Sequence, residues 1–288
     1  MTIVGGGILI DKPAGWTSHD AVAVIRRRLD TRAVGHGGTL DPFATGLLVV
    51  MVGRTTRLAR FVTGMSKQYH AVIRFGTATD TDDATGTVIR RASPDLWPEI
   101  DAVRSMLARL TGNYPQRPPA FSAKHVAGSR SHKLARRGEK FELPPVPVTV
   151  HRLELIEWSP PDLTVEAEVG AGTYLRALAR DAGDLLGFPA HCAELRRTAV
   201  GPFAVDAAIA PGDVTPESLM PAAALLPGMP TEVVDDPARR DLGFGRAVPQ
   251  QQPREGAAAL VAPDGRLVAA AEGRAGWWHP VVVFEAQA

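Results

Sequence analysis

Hydrophobic and polar positions along the chain fall into recognisable periods. In "GILIDKPAGWTS" a short apolar run, read as a strand, stops at a Pro/Gly turn. Thr17 or Ser18 then stands where a helix N-cap is expected, ahead of "HDAVAVIRRRL", whose Val22, Ile25 and Leu29 share one helical face. The run "LLVVMVG" at 47–53 is apolar without interruption and bounded by glycine, the pattern of a buried strand. "TTRLARFV" reads as a capped helix. "QYHAVIRFG" reads as a strand, "TGTVIRR" as its partner after a polar loop, and "EIDAVRSMLARLTG" as a helix. In "LTVEAEV", 163–169, Leu163, Val165, Ala167 and Val169 point one way and Thr164, Glu166 and Glu168 the other, which predicts a half-buried strand. "TYLRALARDAGDLLG" is helical in period, with Gly187 to stop it.

Two stretches break from this texture. Residues 117–147 are basic, polar and bracketed by prolines, as expected of an insertion that leaves the main fold and returns. Residues 207–230 are rich in Pro and Ala and read as a linker. Beyond them, "AAALVAPDGRLVAAAEG" predicts a hairpin around Asp264-Gly265, and "WWHPVVVF" another strand. The division expected is a domain at 1–231 and a small all-β domain at 232–288. Strands and helices mix without regular βαβ alternation, so the class expected is α+β.

Composition narrows the picture further. The 288 residues are 45% hydrophobic and 22% charged, enough for a sizeable core in an ordinary globular chain. No apolar run has the length of a membrane helix, and the first residues lack a signal-peptide pattern, so the expectation is a cytoplasmic protein with no membrane partner. A single cysteine, Cys192, excludes an intrachain disulfide and a multi-cysteine zinc site. The net charge of +1 is uninformative, but its distribution is not. Arg117, Lys124, Arg130, Lys133, Arg136, Arg137 and Lys140 stand against the lone Glu139. A second basic cluster is Arg26, Arg27, Arg28 and Arg32. Such patches suit a phosphate-tracking surface; solvated helix faces would look the same.

Several candidate sites fail on chemistry. "GGGILI" lacks the Gly-Lys-Ser/Thr of a phosphate loop. "DTDDATG" has Ala84 where a calcium ligand belongs, and no closing Glu. His191 and Cys192 are sequence neighbours, a poor arrangement for a thiol and its base, and the eight histidines show no metal-ligand spacing. Neither metal nor cofactor is expected. "GHGGTLDPFATG", 35–46, remains. Pro42 restrains Asp41 to an extended backbone, and Gly37 and Gly38 permit a close approach. On the pattern alone the better-supported reading of Asp41 is a turn residue capping local amides.

The resemblance adds weight. "GHGGTLDPFATGLL" closely resembles the catalytic motif of the TruB family, the bacterial tRNA pseudouridine-55 synthases. "DKPAGWTSHDAV", "KQYHAVIRFGTATDTDDATG", "PPAFSAKHVAGSRSHKLARRGE", "GTYLRALARDAGDLLG" and "HCAELRRTAVGPF" resemble that family's other motifs, in its order, over roughly residues 8–206.

The resemblance implies a pseudouridine synthase fold, with a central mixed, mainly antiparallel sheet flanked by helices and a small β-rich, PUA-like C-terminal domain. It implies isomerisation of uridine 55 in the T-loop of tRNA after the base is flipped out. It makes Asp41 the essential carboxylate, and leaves open whether that group attacks the base, attacks the ribose or helps remove a ribose proton. Arg176 would pair with Asp41, and Tyr69, Leu195 and Tyr174 would complete the pocket. His36 would fill the vacated place in the RNA stack. Asp83 would contact a neighbouring nucleotide, and Lys124, Arg130, Lys133, Arg136 and Arg137 would grip the T-loop and T-stem. The implied enzyme is a monomer working without guide RNA or protein partner.

Two departures stand out: His132 occupies a place often held by tyrosine, and the tail from 232 is short and Ala-rich. Three other readings compete. An RNA chaperone without chemistry would not need Asp41, Tyr69 and Arg176 together. A guide-dependent catalytic subunit would not need its own basic insertion. An Asp-dependent glycosidase would need a second carboxylate.

Overall fold

In the computed structural model, residues 5–92, 95–121 and 143–284 are described in full, and 125–126 and 129–130 by their backbone. In chain order the first elements are β1 (Gly5–Lys12), α1 (Ser18–Arg28), β2 (Val34–His36), β3 (Thr45–Gly53), α2 (Ala59–Thr63), β4 (Lys67–Phe75), β5 (Thr77–Thr79) and β6 (Val88–Arg91). There follow α3 (Ile100–Leu110), β7 (Gly112–Gln116), β8 (His125–Val126), β9 (Ser129–Arg130), β10 (Val146–Ser159), β11 (Asp162–Val169), α4 (Leu175–Leu186), β12 (Ala190–Val200) and β13 (Phe203–Ala204). The last are β14 (Thr231–Val233), α5 (Asp236–Gly243), β15 (Val248–Pro249), β16 (Gly256–Val261), β17 (Leu267–Arg274) and β18 (Trp277–Val283).

The main sheet runs β1-β3-β12-β4-β11-β10-β7, with β2 on β3 and β13 on β12. Its pairings are antiparallel except for a short parallel step between β12 and β3, so the sheet is mixed and mainly antiparallel. The clean alternation at 163–169 has the predicted result: Leu163, Val165, Ala167 and Val169 are buried under α3 and α4 with Leu178, Ala182, Val103 and Met106. The uninterrupted run at 47–53 is covered on both faces. Leu48, Val50 and Val52 meet Ala21, Val22 and Ile25 of α1. Leu47, Val49 and Met51 meet Leu58, Val62 and the C-terminal sheet. A strand buried on both sides has no reason to alternate.

The C-terminal residues form a second sheet, β14-β16-β17-β18-β15. One face places Ala259, Val261, Leu267, Ala270 and Val282 in the same core as β3. The other packs Leu260, Val268 and Trp278 against Leu242. This unit was expected to be all-β, but α5 belongs to it: Asp235 caps that helix through the Ala238 amide and Leu242 is fully buried. Arg54 and Arg57 also hold the carbonyls of Phe284 and Val283, at 2.8 and 2.9 Å.

Three local expectations are corrected. "TGTVIRR" does not pair with β4: β6 pairs with β5, while β4 lies between β11 and β12. Both edges of β4 are taken by strands distant in sequence, which local periodicity cannot reveal. "TTRLARFV" is a 3-10 turn (Arg54–Leu58) running into α2, with no side-chain cap. Thr55 lies between Val52 and Gly6 instead, accepting from the Val52 amide and donating toward the Gly6 carbonyl. Residues 207–230 are no slack linker. They are laid along the outer edge of β1, where Gly7 and Met220 exchange backbone hydrogen bonds of 3.1 and 2.9 Å and Ile209 bonds to Leu9 and Asp11. The segment forms only short 3-10 turns (Pro211–Asp213, Pro216–Ser218 and Ala222–Leu225) and single bridges, but it satisfies an otherwise open edge.

Candidate active site

Asp41 sits in the loop between β2 and β3, at a tight turn closed by the Ala44 amide on the Asp41 carbonyl (3.1 Å). The "DKPAGWTS" stretch fastens this loop. Thr17 is the N-cap of α1, its hydroxyl accepting from the Asp20 amide while Asp20 accepts from the Thr17 amide. That leaves Ser18 to bind the backbone of Leu40: its hydroxyl accepts from the Leu40 amide (2.8 Å) and faces the Leu40 carbonyl (3.2 Å). The Gly15 amide donates to the Pro42 carbonyl (2.8 Å). Lys12, with no exposed surface, donates from Nζ to the carbonyls of Pro13 (2.9 Å), Trp16 (2.7 Å) and Pro42 (3.5 Å). Burial lowers the Lys12 ammonium to about 8, with Asp41 the strongest opposing influence. Gly38 takes φ +141°, a region that favours glycine.

Arg176 enters from the first turn of α4. Nε donates to Asp41 Oδ2 at 2.8 Å and Nη2 to Asp41 Oδ1 at 3.1 Å, a two-pronged contact that fixes the plane of the carboxylate. The guanidinium also donates to the carbonyls of Thr81 (2.7 Å) and Phe121 (2.9 Å) and lies 3.4 Å from Asp83 Oδ2. The Arg176 side chain is 4% exposed, that of Asp41 34%. The carboxylate is therefore held from behind and open in front. Burial pushes the Asp41 carboxyl above its usual range; Arg176 pulls it back, Asp83 adds to the rise and Lys12 opposes it.

One helical turn on, Arg180 donates to Asp82 (2.9 Å), Asp181 (2.9 Å) and the Arg117 carbonyl (2.7 Å). Burial raises Asp82 to about 6, with Arg180 opposing. The two arginines of α4 thus bind the 81–83 loop and the chain entering the insertion, at Arg117 and Phe121.

The other predicted pocket residues divide. Tyr69 on β4 is half-buried beside the cluster that contains Leu40, Ala44 and Leu195, with Phe43 against the same cluster. Tyr69 and Ala71 lie opposite Arg197 and Leu195 of β12, so these four side chains share a sheet face. Tyr174 is the N-cap residue of α4, and buried Gln116 holds its backbone from both sides (2.9 and 3.2 Å). His36 ends β2, half-buried, with Nδ1 facing the Gly38 amide at 3.4 Å. Burial and then the charge of Arg197 lower its basicity, so the ring is biased toward the neutral form.

Asp83 has a different setting from the nucleotide contact expected of it. Its side chain is 6% exposed. Oδ1 accepts from the Thr81 hydroxyl (2.8 Å), the Thr85 amide (3.0 Å) and the Thr85 hydroxyl (2.6 Å), while Oδ2 faces Arg176. These partners turn the carboxylate inward as a brace for Arg176.

With the site in place, the chain can be set against known proteins. Residues 26–175 match "TruB family pseudouridylate synthase (N terminal domain)". Residues 176–224 match "tRNA pseudouridylate synthase B C-terminal domain" and 229–285 "tRNA Pseudouridine synthase II, C terminal". A Thermobifida fusca (strain YX) protein named tRNA pseudouridine synthase B is 43% identical over 289 residues, 97% of this chain and 98% of its own. One of the same name from Arthrobacter sp. (strain FB24) is 40% identical over 300 residues, 98% of this chain and 97% of its own. The chain belongs to the TruB family of pseudouridine synthases.

A solved structure described as "Crystal Structure of a Cbf5-Nop10-Gar1 Complex" superposes with a TM-score of 0.75 at 25% identity, covering 99% of this chain and 86% of that one. The pseudouridine synthase fold expected from the motifs is thus the one observed.

Within this TruB chain, some predicted residues fall outside what can be placed. Lys124, His132, Lys133, Arg136 and Arg137 lie outside the described residues, as does the side chain of Arg130. The basic cluster on α1 is partly engaged in structure: Arg26 Nη2 donates to the Val34 carbonyl (3.1 Å) and Arg28 Nε to the Val214 carbonyl (3.2 Å). Cys192 is fully buried and burial pushes its thiol up, which removes it as a nucleophile.

Four residues that shape the site escaped sequence reasoning: Lys12, Gln116, Arg180 and Arg197. Two left a trace. Arg180 follows Arg176 by four positions and so shares its helical face. Arg197 follows Leu195 by two and so shares its strand face.

Proposed function

We propose that this protein isomerises uridine 55 in the T-loop of tRNA to pseudouridine, with Asp41 as the essential carboxylate. The TruB family is one of pseudouridine synthases, and the relatives compared above are named tRNA pseudouridine synthase B. The single observation that carries the assignment to Asp41 is its pairing: an accessible carboxylate whose two oxygens are held by the Nε and Nη2 of a buried arginine.

The reaction exchanges the bond from ribose C1′ to uracil N1 for one to C5, with a proton lost at C5 and one taken up at N1. No atom is added and no electron is transferred, so the residues need to orient, stabilise and move a proton. An ionised carboxylate at the sugar–base junction serves any of the routes open to Asp41. Burial works against ionisation and Arg176 restores it.

Uridine in a folded T-loop must first be extruded, at a cost of a few kcal/mol. A neutral, planar His36 suits the vacated space. The face shared by Tyr69 and Leu195, beside Phe43 and Leu40, offers the extruded ring an apolar wall. The basic insertion at 117–147 grips the T-loop and T-stem, and its entry is joined to the site through the Arg117 and Phe121 carbonyls.

The enzyme acts in the cytoplasm as a stand-alone monomer, because the insertion supplies a grip that a guide RNA and partner proteins would otherwise provide. Residues 232–288 serve as a PUA-like accessory domain. Incubation of purified protein with an unmodified tRNA transcript, followed by pseudouridine mapping, tests this. Conversion at position 55 alone is expected; no conversion, or conversion elsewhere, contradicts it.

A further inference from the structure

Arg197 is 2% exposed, and among the described residues no carboxylate lies within ion-pair distance of it. A guanidinium taken out of water without a counter-ion is costly unless its donors are well used. Here each of its three nitrogens donates to a backbone carbonyl in or beside one loop. Nε donates to Leu47 (2.7 Å), Nη1 to Thr39 (3.3 Å) and Nη2 to Gly38 (3.1 Å). Gly38 and Thr39 precede Asp41 in the chain, and Leu47 follows it.

The backbone is arranged for this reach. β12 meets β3 only at Arg196↔Thr45 and Arg197↔Gly46. A Cβ on Gly46 would stand 2.2 Å from the Arg197 carbonyl oxygen, and Gly46 has φ +100°, so the two chains touch where no side chain fits. That contact sets the Arg197 backbone at the loop's exit and sends its side chain across to the loop's entrance.

We infer that Arg197 is a positioning residue: its forked guanidinium ties the two ends of the Gly38–Leu47 loop together and so fixes the backbone from which Asp41 reaches Arg176. This rests on the reading of Asp41 as the catalytic carboxylate. Arg176 sets the plane of the carboxylate, and Arg197 sets where its main chain stands. Lysine does not reproduce this arrangement, because its donors all sit on one nitrogen, whereas the guanidinium sets Nε, Nη1 and Nη2 apart on three different carbonyls. The charge of Arg197 is felt beyond the loop: after burial, it is the main influence lowering the basicity of His36 and Lys67.

The test compares Arg197→Lys and Arg197→Met with Val268→Ala, a core truncation in the C-terminal sheet away from the loop. Three quantities are read: single-turnover rate on unmodified tRNA transcript, Kd for that transcript, and amide hydrogen exchange of the peptide spanning 38–46. Both Arg197 variants are expected to lose rate by about 100-fold, the scale of a small misplacement of a reacting group. Kd is expected to change less than about threefold, and loop exchange to rise by about tenfold or more while β4 stays protected. Val268→Ala should lower the denaturation midpoint and leave rate and loop exchange alone. Should Arg197→Met fail to fold, Arg197→Lys decides. Wild-type rate or wild-type loop exchange in Arg197→Lys overturns the inference. The exchange arm needs no turnover, so it is read even if Asp41 proves not to be the catalytic group.

Discussion

Arg176 meets Asp41 edge-on, with Nε on one carboxylate oxygen at 2.8 Å and Nη2 on the other at 3.1 Å. The same guanidinium is bound to the Thr81 and Phe121 carbonyls, so it cannot turn without breaking hydrogen bonds to three segments. Arg176→Lys keeps a charge and loses this geometry. Its single-turnover rate on tRNA transcript is expected to fall by about 100-fold or more, since Arg and Lys are not equivalent at a two-pronged site. Retention of more than half the wild-type rate would show that charge alone suffices.

The pH dependence has a defined sign. Burial raises the Asp41 carboxyl above its ordinary value and Arg176 opposes that rise. In the proposed reaction the ionised form is the working form, so activity is expected to be lost as pH falls through the raised value. Removing the guanidinium in Arg176→Met removes the main opposing influence, and the acid limb of kcat/KM should move to higher pH. Profiles of wild type and variant under single-turnover conditions measure this; a limb that stays put, or moves to lower pH, detaches it from Asp41.

Asp83 separates bracing from RNA contact. Its buried carboxylate accepts from Thr81 and Thr85 and faces the buried Arg176 guanidinium. Asp83→Ala orphans those donors and one face of a buried guanidinium, a loss of about 3 kcal/mol of stability. Denaturant titration should show it, with little change in tRNA affinity for the folded protein. Unchanged stability with a much weaker Kd would restore Asp83 to the RNA surface.

Neutralising Lys133, Arg136 and Arg137 together, each to Gln, tests the insertion. A cationic side chain that pairs with a phosphate adds about 1 to the slope of log Kd against log salt, so the triple variant should flatten that slope by up to about 3. Filter binding over a salt series reads the slope; an unaltered value takes this arm off the binding surface.

Sequence marked the Asp41–Arg176 pair and missed what holds it. Asp41 and Arg176 lie 135 positions apart, yet both sit in motifs that are recognisable as strings. Lys12 and Arg197 bind carbonyls, which every residue possesses, so nothing in the sequence marks their partners. The Arg197–Gly38 bond spans 159 positions. Strand periods were legible where one face is buried, as at 163–169, and β3 was legible by its lack of a period. The pairing of β6 was misread, because the neighbours of β4 come from positions near 165 and 195. The segment 207–230 looked like a linker since proline and alanine report local stiffness but not the edge of β1 against which it lies.

The central claim is that Asp41 acts on the uridine, and Asp41→Asn addresses it with the least disturbance. Asparagine retains one acceptor toward Arg176 and nearly the same volume. The variant should bind unmodified tRNA within about threefold of wild type, yet leave position 55 as uridine in a mapped single-turnover reaction that the wild type completes. Pseudouridine formed by Asp41→Asn at close to the wild-type rate would contradict the account.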